Sequence, residues 1–177
     1  MLQMQHVVIT TYIKQWIDKA GVKMISETRH FTDTIFYQVE LTARYTKMLG
    51  TQLFGKLGIG LTPEEFAALD TISAHEELCQ RDIAKLILKD RANTGKLLDS
   101  LEQKGFITRE LTSKNNRPVK IVKITEQGRN IYNEIYTKLE PHHKIVKEKI
   151  VNTDLAKVGE LLRELREVLE DSIDIDI

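Results

Sequence analysis

Residues 89–106 read KDRANTGKLLDSLEQKGF, and the way this stretch is read decides the fold. Helical periodicity begins at Asp90, runs to Lys104 and stops at Gly105, which stands in the C-cap position. Within it Leu97, Leu98 and Leu101 are expected to face a core, with Arg91, Asn93, Lys96 and Ser100 turned away. Arginine and asparagine are the side chains able to make paired hydrogen bonds to guanine and adenine edges, and the small Thr94 and Gly95 would let the helix come close to a backbone. Taken singly, each of these residues is an ordinary exposed helix position. Their shared face favours a helix that meets nucleic acid.

The flanking segments strengthen this reading. Upstream, a shorter helix is predicted from near Cys79, where Gln80-Arg81-Asp82 leads into Ile83, Ala84, Ile87 and Leu88. Before it, Thr62-Pro63-Glu64-Glu65 offers an N-cap threonine, a proline at the first helical position and a capping-box glutamate, followed by a stripe of Phe66, Leu69 and Ile72. Downstream the period changes. Phe106 to Leu111 and Val119 to Ile124 are short runs rich in β-branched residues, separated by the polar stretch Thr112 to Pro118. Two strands joined by a seven-residue basic loop make a hairpin. Two short helices meeting at Lys89-Asp90 and followed by such a hairpin are the parts of a winged helix-turn-helix, which places its second helix in the major groove. Lys114, Asn116 and Arg117 at the hairpin tip are the expected contacts to phosphate or the minor groove.

Helical stripes occupy both ends of the chain. Ile9, Tyr12, Ile13, Trp16, Ile17 and Ala20 predict a short amphipathic helix, and a longer one follows Thr32 with Ile35, Val39, Leu49, Leu53 and Leu57 on one stripe. After the hairpin, Thr125 caps a return to helix through Ile131, Ile135, Leu139, Val146 and Ile150, with a kink expected at Pro141. In the last segment Leu155, Val158, Leu162, Leu165 and Leu169 alternate by three and four, a seam of coiled-coil type. Long apolar stripes with no sheet to cover them call for a partner, and a second copy of the chain is the simplest one. The expected organisation is an extension over 1–30, a dimerisation helix over 31–60, the winged helix-turn-helix over 61–128 and C-terminal dimerisation helices over 129–177: a mainly α protein with a small β-hairpin wing.

From about Phe31 to Asp171 the chain resembles the MarR (multiple-antibiotic-resistance regulator) family of winged-helix proteins. The segments that carry the resemblance are LTPEEFAALDTI, CQRDIAKLI, LLDSLEQKGFITR and KITEQG. It implies an obligate homodimer binding a palindromic DNA site, commonly as a repressor. It also implies release by a small aromatic or phenolic ligand or, in some members, by oxidation of a cysteine. Many members carry an aspartate two positions before the wing-tip arginine as a brace. Here Asn115 precedes Arg117, and an asparagine cannot form the ion pair. The roughly thirty residues ahead of the family's usual first helix, with Trp16, are an addition expected to extend the dimer interface.

Charge and composition bound the function class. The 177 residues carry equal numbers of Lys/Arg and Asp/Glu, yet the segment from Cys79 to Gly128 holds eleven bases against six acids and that from Asn152 to Ile177 three against eight. A basic middle suits an anionic partner, although a solvated charged face would look alike. The single Cys79 excludes an internal disulfide and fits a reducing compartment. The N-terminus does not read as a signal peptide and no apolar run reaches a membrane span, so the expectation is cytoplasmic. Cys79, in the position of a helix cap, reads as a small structural residue more readily than as an oxidant sensor. Phe36, Tyr37 and Tyr45 read as core or interface residues, with an effector pocket as the competing reading. His142-His143 has no companions that would complete a metal site, and no cofactor or catalytic motif is present. The rival reading is a winged helix used for protein–protein contact alone.

Overall fold

A computed structural model describes residues 30–75, 77–114, 117–150 and 154–172. The predicted helix around Trp16 and the candidate DNA contact Asn116 lie outside the described residues, as do the side chains of Lys114 and Arg117. The chain divides into two compact units, 1–55 and 56–177.

In the first unit a 3₁₀ turn, Phe31–Asp33, leads into α1, Ile35–Lys56. Thr34 stands at its start. Its hydroxyl donates to the Phe31 carbonyl at 2.7 Å and accepts from the Tyr37 N–H at 3.3 Å.

The second unit opens with α2, Pro63–Ala74, whose capping box forms as the sequence predicts. It continues through a two-residue strand β1, Leu78–Cys79, then α3, Gln80–Leu86, and α4, Arg91–Gln103. The hairpin β2, Ile107–Lys114, and β3, Arg117–Ile124, precedes α5, Glu126–Lys149, and α6, Leu155–Glu170. The sheet order is β1-β3-β2, all antiparallel. This is a winged helix-turn-helix. Its core is built from Leu69 and Ile72 of α2, Ile83 of α3, Leu98 and Leu101 of α4, Ile107 and Val122 of the wing and Ile135 of α5.

Two features depart from expectation. Pairing continues outward through Thr112↔Val119, Ser113↔Pro118 and Lys114↔Arg117, so only residues 115 and 116 separate the strands, not seven. Polar residues carry no strand signal on an element that is solvated along most of its length. Pro118 is tolerated because β1 pairs only with Ile121 and Val122, leaving that edge open. The strand β1 itself is too short to register as a period.

Two contacts lock the unit together. Glu65, buried at 5% exposure, accepts the Thr62 N–H on Oε2 at 2.7 Å. On Oε1 it accepts the Ser100 hydroxyl at 2.5 Å and the Lys104 ammonium at 2.8 Å, tying α2 to the far half of α4. At the base of the wing, Gly128 in the first turn of α5 lies so close to the Phe106 carbonyl that a Cβ would sit 2.1 Å from its oxygen. The helix starts there because Thr125 accepts from the Gly128 N–H at 2.9 Å while donating to the Gly105 carbonyl at 2.7 Å. The Gly in KITEQG is therefore a packing requirement.

Burial alone pushes the Glu65 carboxyl up, but the hydrogen bonds from Lys104, Ser100 and Thr62, with the Lys104 charge, hold it below its ordinary value of 4.5. A carboxyl depressed in the folded state stabilises the fold above its unfolded value, and that contribution fades as pH falls through the folded one. Lys104 is 34% exposed and can turn to water. Glu65→Gln should therefore cost only about 1–2 kcal/mol at neutral pH. Urea unfolding from pH 7 to pH 3 should show the gap between wild type and variant closing below 4.5. A gap independent of pH would contradict the network.

Candidate nucleic-acid interface

The turn between α3 and α4 is set by backbone bonds. The Lys89 N–H reaches the Ala84 carbonyl at 3.0 Å and the Leu88 N–H that of Lys85 at 3.3 Å, the pairing of a Schellman cap. Such a cap needs a left-handed residue, usually glycine. Here Leu88 takes it with φ of 51° and its side chain 60% exposed. The turn delivers Asp90 as the N-cap of α4. Asp90 accepts the Asn93 N–H at 2.8 Å and the Asn93 side-chain amide at 2.6 Å, and these bonds hold its carboxyl below its usual value.

Along α4 the buried stripe is Thr94, Leu98 and Leu101. Leu97, expected in the core, is only half-buried, and two residues expected at the DNA face are not there. Thr94 is 0% exposed and points into the core, its hydroxyl unpartnered. Ser100 is turned inward to Glu65. Thr94 thus takes the place expected of Leu97 in the buried stripe, on the same side of the helix as Leu98 and Leu101. Of the residues expected at the DNA face, Arg91, Asn93 and Lys96 are exposed, as are Ala92, Asp99, Glu102 and Gln103 of the same helix.

On the Arg91 side of α4 stands the wing, braced by contacts the sequence did not reveal. Arg109 of β2, 18% exposed, reaches Asp99 at 2.7 Å and Glu102 at 3.6 Å on α4, and Lys123 reaches Glu110 at 2.7 Å across the hairpin. The Arg109–Asp99 pair supplies, at the wing base, bracing that Asn115 cannot give as an ion pair. An acid–base spacing of ten residues across a turn carries no periodic signal, so only the folded register finds it.

Between α4 and the wing lies an open concavity lined by Cys79, Gln80, Arg81, Arg91, Pro118, Val119 and Lys120. Gln80 fixes its floor, donating its side-chain amide to the Arg91 carbonyl at 2.9 Å and lying against Gly95, where a Cβ would be 3.2 Å from Gln80 Nε2. Cys79 is half-buried, and its N–H donates to Asp82 at 3.1 Å. A second concavity, lined by Thr62, Glu64, Glu65, Lys89, Asn93, Lys96, Leu97 and Ser100, flanks α4 on the α2 side, with Lys89 and Glu64 paired across it at 3.2 Å.

The other singled-out residues lie on the terminal helices. Ile35 and Val39 are half-buried on α1, while Phe36 and Tyr45 are exposed and Tyr37 meets Phe31 edge-on at 5.8 Å. On α6, Leu155, Val158, Leu162 and Leu169 are exposed, Leu165 is half-buried, and no residue is buried. Among the described residues no three His, Cys, Asp or Glu side chains converge as a metal site, and no helix is long and apolar enough to cross a membrane.

Residues 61–119 match the family model described as MarR family. The chain is 28% identical over 103 residues to an uncharacterized HTH-type transcriptional regulator, YfiV, of Bacillus subtilis (strain 168), a match covering 56% of this chain and 64% of the relative, under two thirds of its length. Its fold is similar to a MarR-family transcriptional regulator from Rhodococcus sp. RHA1, with a TM-score of 0.66 and 20% identity over 78% of this chain and 96% of the other. It is similar as well to the S. aureus MepR–DNA complex, with a TM-score of 0.64 and 20% identity over 77% and 98%. At these identities the structural likeness establishes the fold.

Leu88 offers a check on the turn itself. A bulky residue in the left-handed region costs about 1 kcal/mol, which asparagine largely avoids. Leu88→Asn should raise the urea midpoint by the equivalent of about 0.5–1 kcal/mol with an unchanged m-value. A lower midpoint would mean that the Leu88 side chain is held by packing.

Proposed function

We propose that this chain, which carries a MarR-family winged helix-turn-helix over residues 61–119, is a sequence-specific DNA-binding transcriptional repressor acting as a homodimer on a palindromic site. The observation that carries the reading is the exposed surface of α4, where Asn93 and Lys96 stand clear of the core on the α2 side and Arg91 on the side of a long, braced wing. A helix of this exposure fits the major groove, and a hairpin of eight-residue strands reaches the neighbouring minor groove. Asn93 and Lys96 are the base readers. Lys114, Asn116 and Arg117 remain the wing-tip contacts. Thr94 and Ser100 have no part in it, being turned inward.

Dimerisation is supported by α6, a helix with an apolar face and no buried residue, and by the exposed apolar side chains Phe31, Phe36, Met48 and Leu49 of the first unit. A winged-helix module for protein contact alone would not need unpaired cations on α4. Binding of the purified protein to random duplex at low salt, followed by selection of an operator from a random pool, tests the reading, which fails if no duplex is bound.

Two variants probe the parts. Leu162→Asp with Leu165→Asp should yield monomer in sedimentation and abolish operator binding, whereas a monomer still tight on the full site would refute the paired arrangement. Asn93→Ala should cost about 1–3 kcal/mol on the operator and relax preference at one base pair per half-site, with little change on scrambled duplex. Equal losses on both duplexes would move Asn93 away from the bases.

A further inference from the structure

The cations of the winged helix fall into two groups. Lys89, Lys104, Arg109 and Lys123 are paired with Glu64, Glu65, Asp99 with Glu102, and Glu110, so their charge is used inside the fold. Arg81, Lys85, Arg91, Lys96 and Lys120 are exposed and have no carboxylate partner among the described residues, and of these Arg81, Arg91 and Lys120 stand together. These three come from different elements, the first turn of α3, the first residue of α4 and the middle of β3, yet they line one concavity whose walls contain no acid. Arg81 and Lys120 have no periodic relation in the sequence. Pairing of Cys79 with Ile121 in the sheet brings their segments together.

The position of this concavity determines what it can meet. A helix lying in a major groove and a hairpin reaching the adjacent minor groove are separated by one sugar-phosphate strand, because each groove is bounded by the two strands. The concavity is the space between helix α4 and wing strand β3. If α4 and the wing bind as proposed above, on which this inference rests, the intervening strand passes over it.

We infer that Arg81, Arg91 and Lys120 form a clamp for a backbone phosphodiester of that strand, with Gln80 as the positioning residue. The Gln80 amide on the Arg91 carbonyl, and its fit against Gly95, fix the start of α4 relative to α3 and so hold the two guanidinium-bearing segments at one spacing. Arg91 then serves the backbone and leaves base reading to Asn93 and Lys96. Arginine presents several donors to the phosphate oxygens and lysine adds a point charge, which suits a tetrahedral anion approached from more than one side. The open mouth admits a chain that enters and leaves. Such a contact sets the register of the protein on DNA without reading sequence.

The test uses the full chain and two duplexes, the selected operator and its scrambled version. Arg81→Gln combined with Lys120→Gln removes two exposed charges, so folding should be retained, as the urea midpoint will show. The double variant should weaken binding to both duplexes by the same factor. The slope of log affinity against log salt should become shallower by about 0.9 for each phosphate no longer neutralised, hence about 1.8 for a protein bound through two winged helices. Single methylphosphonate substitutions across the strand between the major-groove half-site and the flanking minor groove should reveal a position where neutralising the phosphate weakens the wild type but leaves the double variant indifferent. A site for free phosphate would leave that series flat and overturn the assignment, as would a double variant with the wild-type salt slope. Wild type that binds no duplex at low salt would instead bring down the functional reading. Wild type that binds while the variant is unchanged removes only the clamp. Gln80→Ala should shallow the slope in the same direction and Gln80→Glu, which cannot donate to the Arg91 carbonyl, should do likewise. A normal slope in both would remove Gln80 from the arrangement.

Discussion

The way α4 sits on α2 in the winged helix is held by one buried carboxylate. Glu65 closes the N-terminus of α2 by accepting the Thr62 N–H, and with its other oxygen it takes the Ser100 hydroxyl and the Lys104 ammonium. A carboxylate can accept several bonds at once, and burial makes leaving any of them unfilled expensive. The consequence is a fixed rotation of α4: with Ser100 held inward and Thr94 in the core, Arg91, Asn93 and Lys96 are left outside. The capping box is thus a local helix signal with a long-range effect. From the far end of the same helix, Asp99 and Glu102 hold the wing through Arg109. Helix, cap and wing form one mechanical body, so a contact made at the wing base constrains the helix beside it.

That division of labour explains how a chain with no net charge can still present a basic surface. Several acids of the winged helix are engaged inside the fold. Asp82 and Asp90 accept backbone N–H groups at helix starts, and Asp99, Glu102 and Glu110 meet wing cations. The cations left over are those toward which no acid is turned. Counting charges along the sequence gives the surplus but not its address, because pairing partners lie up to 39 residues apart.

What could be read beforehand follows the range of the interaction. Thr62 with Glu65, and Gly105 after α4, were legible because caps act within four residues and have narrow chemistry. The order of helices and hairpin followed from changes of period. Thr94 escapes a reading by hydrophobicity, which ranks Leu97 above it, although it is the threonine that is fully buried. The extent of the wing was hidden because Thr112, Ser113 and Pro118 resemble a loop when no core lies against them. Leu88 gave no warning, since a left-handed leucine has no sequence signature and is imposed by the turn. The grouping of Arg81 with Lys120 depends on the two-residue strand Leu78–Cys79, which lies below any period a sequence can show.

The distribution of charge bears on how such a protein would find its site. Association steered by a field depends on the arrangement of charge as well as its sum, and screening limits it to about 8–10 Å at ordinary salt. With the acidic excess after Asn152 and the unpaired cations on α3, α4 and β3, a polyanion is attracted at one part of the chain and repelled at another. A uniformly basic protein would gain affinity for any duplex in any orientation. A neutral one with segregated charge gains mainly in the orientation that brings α4 to the groove, so its electrostatics favour productive encounters over adhesion.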